Sequence, residues 1–302
     1  MLNGVVPLYK RKGITSHDCV MKLRRMYETK KVGHTGTLDP DVEGVLPICI
    51  GKATKISEYI TFLPKQYEAE ITLGYSTTTE DASGDIVEKK PVNSPVKKEE
   101  IEKVLHQFHG KQQQTPPMYS AVKVKGKKLY EYAREGAEVE RPSKTIEIYD
   151  LALNSESIEQ IEQNVSFRCT VTCSKGTYIR TLAVDIGKYL GYPAHMSYLK
   201  RRKSGPFSSQ ECYTLEELTE KKEAGILDET IAPITKALQH IEHIEVDEIT
   251  AQKILNGSVL PKKIKTNDSI FLLIYKGESL AIYQDHPKKP GLIKPKTMLK
   301  SK

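Results

Sequence analysis

The chain has 302 residues, 38% apolar and 28% charged, with 16 tyrosines and no tryptophan. That length and balance give room for one large folded domain and a smaller one, and argue against a disordered or membrane-embedded chain. Lys and Arg number 46 against 39 Asp and Glu, a net charge of +7 that suits a polyanionic partner without requiring one.

The N-terminal MLNGVVPLYKRKG has no long apolar core behind a charged start, and no later run reaches the length of a membrane-spanning helix, so a cytoplasmic protein is expected. The first predicted helix opens at Thr15 and Ser16 as capping residues and continues through Val20, Leu23 and Met26 at helical spacing. Lys22, Arg24 and Arg25 lie on its other face, with Lys30 and Lys31 following. GHTGTLDPDVEG, residues 33–44, is too rich in Gly, Thr, Asp and Pro for a helix or central strand and reads as a loop. VLPICIG then predicts a short buried strand, and TKISEYI a helix. From Gln66 to Tyr75 the period is two: Tyr67, Ala69, Ile71 and Leu73 face one way, Glu68, Glu70 and Thr72 the other.

Residues 84–98 are polar and Pro-interrupted, as a surface loop is. Residues 120–143 place Lys123, Lys125, Lys127, Lys128, Arg134 and Arg141 between Tyr119, Tyr130 and Tyr132. Cations for phosphates and rings for bases would make an RNA-gripping arm. Four acids in the same stretch leave a solvated helix laced with ion pairs as the alternative. Val165, Phe167, Cys169, Val171 and Cys173 alternate as a second half-buried strand, and SKGTYIRTLAVDIG turns into a helix near Tyr178. After about residue 240 come a strand-like HIEVD, a helix ending at Gly257, and two apolar runs joined at Lys276-Gly277 as a hairpin. Strands and helices in irregular order predict an α+β fold around a mixed or antiparallel sheet flanked by helices, with a small mostly-β second domain.

Five scattered cysteines without a C-x-x-C pair suit free thiols in a reducing compartment. GKAT at 51–54 fails as a phosphate-binding loop, because Gly44 lies seven residues before Gly51 where five are needed, and Ala53 replaces Ser or Thr. His106/His109 and His240/His243 have helical spacing but no third ligand at a fitting distance, so no metal is expected. No G-x-S-x-G and no dinucleotide fingerprint occur.

Taken alone, Asp39 in GHTGTLDP is a turn former. The whole stretch changes that reading. GHTGTLDP followed by GVLPICIGKATK resembles the catalytic segment of the TruB-type tRNA pseudouridine synthases. The likeness continues in KQYEAEITLG at 65–74, QTPPMYSAVKVKGKKLYEYAREG at 114–136 and CSKGTYIRTLAVDIG at 173–187, and so covers residues 1–215. Val42 stands where the family often carries Ala, a change expected to affect packing only. More weakly, through the helix, the hairpin and the closing LIKPKTML, the last sixty or so residues resemble a PUA domain.

The resemblance implies a pseudouridine-synthase fold over 1–240 and a PUA-like RNA-binding domain over 241–302. It also implies a reaction: uracil is detached at N1 and rejoined through C5 at uridine 55 of the tRNA T-loop. Substrate and product are isomers, so no cofactor is expected. It assigns Asp39 as the catalytic carboxylate, Tyr67 as the ring that stacks on the target base, and Arg180 as the aspartate's partner. His34 would fill the place the flipped nucleotide vacates, and Lys55, Tyr178 and Leu199 would line the pocket. Asp39 could attack C1′, add to the base, or remove the C2′ proton, and the last is favoured. Lys123, Lys125 and Lys127 of the arm, and the run Lys200, Arg201, Arg202 and Lys203, are expected to meet RNA phosphates. A T-arm stem-loop of tRNA is the expected partner, met by a monomer without an obligate protein partner. An RNA chaperone that has lost catalysis and a guide-RNA-dependent synthase are the rivals.

Overall fold

The computed structural model describes residues 2–262 and 268–300. The chain divides into two compact units, one made of residues 1–63 and 203–302, the other of residues 64–202.

In the first unit, strand Gly4–Lys10 pairs antiparallel with Glu43–Ile50, from Gly4 opposite Ile50 to Lys10 opposite Gly44. Between them in sequence lies helix Ser16–Met26. Thr15 caps it, its hydroxyl accepting from the Asp18 N–H while Asp18 reaches back to the Thr15 N–H. This reciprocal capping box satisfies two donors that a helix start otherwise leaves open. Cys19, Val20 and Leu23 turn inward from it. The Gly/Thr/Asp-rich stretch is shorter as a loop than its composition suggests. Gly33 and His34 finish a strand, Val32–His34, and Glu43 and Gly44 already open the next. Carbonyl and N–H groups at those ends are needed by the sheet ladder, which overrides local propensity.

Later in the same unit a five-stranded sheet runs in the order Glu242–Glu245, Ile270–Tyr275, Glu278–Asp285, Leu292–Met298, Leu260–Pro261. Its first pair is parallel and the rest are antiparallel. The central hairpin turns at Lys276 and Gly277, both with positive φ (49° and 76°), the pair of conformations a two-residue turn between right-twisted strands requires. Helix Glu248–Leu255, capped by Asp247, covers this sheet and ends before Gly257 at φ 70°.

The second unit is built on strands in the order Ala194–Ser204, Lys65–Leu73, Asn164–Cys173, Lys144–Ile161, Gly110–Gln114, antiparallel from Lys65–Leu73 onward. Helices Lys98–Gln107 and Ile179–Tyr189 bury Ile101, Val104, Leu105, Ile179, Leu182 and Ile186 against Ala69, Ile71, Phe167, Cys169 and Val171. The alternating apolar residues of the two strands thus form the core side, and Arg168 and Glu68/Glu70 pair on the other. The stretch 84–98 is not all loop: Ile86–Lys89 is an exposed strand paired with Tyr75–Thr77. Residues 120–143 form a hairpin, Lys123–Val124 with Lys127–Lys128, followed by a single short helix, Leu129–Arg134. Six residues are too few for a face of ion pairs at four-residue spacing, and the ion pair here joins Lys127 to Glu135, eight apart. Together the two units make the expected α+β architecture.

Candidate active site

In the first unit the loop around Asp39 is held from several sides. Ser16, 2% exposed, accepts from the Leu38 N–H at 2.9 Å and donates to the Leu38 carbonyl at 3.0 Å. Lys10, fully buried, donates to the carbonyls of Val42 at 2.7 Å, Pro40 at 3.0 Å and Arg11 at 3.1 Å. The Gly13 N–H reaches the same Pro40 carbonyl at 3.0 Å, and the Val42 N–H closes a turn on the Asp39 carbonyl at 3.1 Å. Leu38 and Val42 are buried, whereas Asp39 itself is exposed. Because Asp39 precedes a proline, its backbone is also confined to the extended region. The result is a carboxylate presented outward from a rigid backbone, an arrangement that saves ordering it at the moment of reaction.

His34 sits at the end of its strand opposite Ile48, half-buried, and its Nδ1 accepts from the Gly36 N–H at 3.3 Å. A neutral ring so held carries its proton on Nε2. Lys55 is exposed, and its ammonium donates to the Met298 carbonyl at 2.9 Å, so the structure gives it a part in tying residues 51–56 to the C-terminal sheet where pocket lining was expected.

In the second unit Tyr67 lies on strand Lys65–Leu73 opposite Val171, half-buried against the core, and Leu199 packs on the same cluster. Two residues from Tyr67, Lys65 is 5% exposed; burial first, and Arg201 second, lower its ammonium to about 8. Arg180, in the first turn of its helix, is 7% exposed and no mere surface charge. Its guanidinium donates to the Tyr119 carbonyl at 2.8 Å and the Thr79 carbonyl at 3.0 Å, with the Asp81 carboxylate at 3.4 Å. Next to it, Thr181 donates to Glu80, whose carboxyl is pushed above its usual range by burial. Tyr178 is the residue before that helix. Buried Gln114 grips its backbone at both ends, accepting from its N–H at 2.8 Å and donating to its carbonyl at 2.9 Å.

The run at 200–203 needs correction. It lies on strand Ala194–Ser204, where successive side chains point to opposite faces. Arg201 is 1% exposed and cannot reach a phosphate, while Arg202 is exposed and paired with Glu68. Lys203 is exposed and Lys200 half-buried. In the arm, Lys123 and Lys125 are exposed, but Lys127 is drawn to the Tyr132 ring and to Glu135. Lys10, Ser16 and Gln114, which position the site's backbone, were missed from sequence. In sequence Ser16 looks like a helix cap alone, and nothing marks a lysine ending an apolar strand as a buried donor.

Fold and loop together define an α+β protein that displays an aspartate on a firmly held backbone. Residues 24–179 match the family model described as TruB family pseudouridylate synthase, N-terminal domain, and residues 180–239 match the tRNA pseudouridylate synthase B C-terminal domain. The chain belongs to the TruB family of pseudouridylate synthases. It is 55% identical over 307 residues to the tRNA pseudouridine synthase B of Bacillus subtilis, covering 100% of this chain and 99% of that protein. To the protein of the same name from Halalkalibacterium halodurans it is 53% identical, covering 99% and 98%. Among solved structures it is similar to a chain of a Cbf5-Nop10-Gar1 complex at 27% identity and TM-score 0.72, covering 99% of this chain and 85% of that one. A chain of an H/ACA RNP bound to a substrate RNA containing 2′-deoxyuridine aligns at 25% identity and TM-score 0.71, covering 98% and 84%. The pseudouridine-synthase fold and the PUA-like character of the C-terminal sheet accord with these matches.

Proposed function

We infer that this enzyme isomerises uridine 55 in the T-loop of tRNA to pseudouridine, with Asp39 as the catalytic carboxylate. The supporting observation is the outward-facing Asp39 on a loop fastened at Leu38, Pro40 and Val42, in a chain that matches tRNA pseudouridine synthases over its whole length. The N1–C1′ bond breaks, the freed uracil turns, C5 bonds to C1′, the C5 proton departs and N1 is left protonated. Nothing is oxidised or reduced, so the balance calls for no electron acceptor. Asp39 removes the C2′ proton as the N1–C1′ bond breaks, giving a glycal-like intermediate, and that proton returns to C2′ when C5 bonds to C1′; a 2′-deuterated substrate is expected to turn over more slowly, and equal rates where that step limits turnover speak against it.

Tyr67 stacks on the extruded uracil, replacing neighbours lost from the RNA loop by about 1–3 kcal/mol. Arg180 keeps the reacting carboxylate ionised, as a guanidinium does for a desolvated acid. His34 takes the vacated place in the RNA loop, Tyr178 and Leu199 shape the pocket, and Lys123 and Lys125 meet phosphates. The enzyme acts alone in the cytoplasm, where its buried thiols stay reduced; burial pushes Cys169 up to about 12. The test is incubation with a T-arm stem-loop and mapping of pseudouridine. Asp39→Asn is expected to bind the RNA like wild type and form no product. An active Asp39→Asn enzyme would remove Asp39 from the chemistry.

A further inference from the structure

We propose that Ser16 is a positioning residue for catalysis: its hydroxyl sets the peptide groups on either side of Leu38, and through them the direction of the Asp39 carboxylate. The inference rests on Asp39 being the reacting acid. Three observations carry it. First, one hydroxyl engages both polar backbone groups of a single residue, accepting from the Leu38 N–H (2.9 Å) and donating to its carbonyl (3.0 Å). Second, the pair is sealed, Ser16 at 2% and Leu38 at 4% exposure, so water is a poor substitute for the lost partner. Third, the contact spans 22 residues of sequence and joins the first turn of a firmly capped helix to the peptide just before Asp39.

Thr15, one residue earlier, already satisfies the helix start through Asp18. Ser16 is therefore not needed as the cap. On the far side of Asp39, Pro40 and Val42 are held independently by Lys10 and Gly13. Removing the Ser16 hydroxyl should consequently free one flank of the aspartate while the other stays fixed, swinging the carboxylate without dismantling the loop. Misplacement on the scale of an ångström lowers a positioned reaction by about a hundredfold, so the loss falls on the chemical step and not on RNA affinity.

The experiment compares wild type, Ser16→Ala, Ser16→Cys and Asp39→Asn on a T-arm stem-loop, measuring the dissociation constant and the single-turnover rate at saturating enzyme. Ser16→Ala is expected to bind the RNA within about threefold of wild type and to react about 10- to 100-fold more slowly, with Ser16→Cys, similar in outline though somewhat larger and a weak hydrogen-bonding group, in between. A Ser16→Ala rate within twofold of wild type overturns the inference, as does a loss confined to binding. If Ser16→Ala does not fold, Ser16→Cys decides on the same two measurements. Should Asp39→Asn itself remain active, the catalytic assignment of Asp39 fails first, an outcome distinct from a normal Ser16→Ala rate beside an inert Asp39→Asn.

Discussion

Lys10 shows how far a single buried cation can determine a site. Three of its acceptors are backbone carbonyls, two of them in the loop that carries Asp39. Lys10→Met keeps the stem but strips the donor, leaving the Val42 carbonyl and part of the Pro40 demand unmet, at about 1–3 kcal/mol per buried group. The expected result is a lower urea midpoint together with slower turnover; an unchanged midpoint would mean that the loop closes by other means. Lys65 tests the opposite balance. Its ammonium titrates near 8 in the folded chain against 10.5 for an ordinary lysine, chiefly because it is buried. Between those two values the unfolded chain binds more protons than the folded one, so this residue's contribution to stability rises with pH through that window and is level below it. Measured by urea titration at about pH 7 and about pH 10, wild type should gain stability relative to Lys65→Met as pH rises. A difference that stays constant would contradict the lowered value.

Among the elements, the arm and the strand Ala194–Ser204 divide what periodicity can and cannot reveal. Tyr67 and its neighbours announce a strand because polar and apolar residues alternate. Four consecutive cations at 200–203 hide the same alternation, since every position is charged, and only the strand's pleat separates buried Arg201 from exposed Arg202. The Ile86–Lys89 strand was illegible for a related reason: all four residues are exposed, so no inner face marks it. In the arm, Lys127 packs over Tyr132 while Lys128 and Arg134 flank Tyr130, so part of the basic composition is spent on the arm's own rings. Lys123 and Lys125 at the hairpin are exposed. Replacing both with alanine is expected to weaken tRNA binding at low salt and to flatten the slope of log affinity against log salt by roughly one to two, leaving the saturated rate unchanged. An unaltered salt slope would mean that these two lysines do not touch phosphate.

At the scale of the molecule, the composition break near residue 240 marks where the chain enters a new sheet, and the order of elements beyond it was readable from caps, alternation and the Lys276-Gly277 turn. What could not be read is which core those strands join, because that depends on contacts distant in sequence. Leu272, Ile282 and Leu299 from the C-terminal segment share one buried cluster with Val5 and Val45 of the N-terminal strand pair and with Ile56 and Ile60, which lie on a 3-10 turn, Gly51–Ile56, and the short helix after it, Ser57–Thr61. Ile241 belongs to it too, and Tyr59 meets Thr297 at 3.2 Å. Deleting residues 241–302 would thus do more than remove a Lys-rich segment. It would expose the underside of the strand pair whose edge carries Lys10. Four large apolar side chains at about 1.5–3 kcal/mol each amount to most of the stability a domain usually has. A chain ending at residue 240 is therefore expected to aggregate or to unfold at a markedly lower urea concentration, whereas removal of a mere accessory domain would spare the midpoint and weaken only tRNA affinity. Leu272→Ala, which preserves every basic residue, gives the finer comparison: a loss of about 2–5 kcal/mol in the same unfolding transition as the whole chain, with the low-salt affinity of the folded protein intact. If the truncated chain instead keeps both its midpoint and its turnover rate, the C-terminal strands contribute nothing to holding the loop of Asp39.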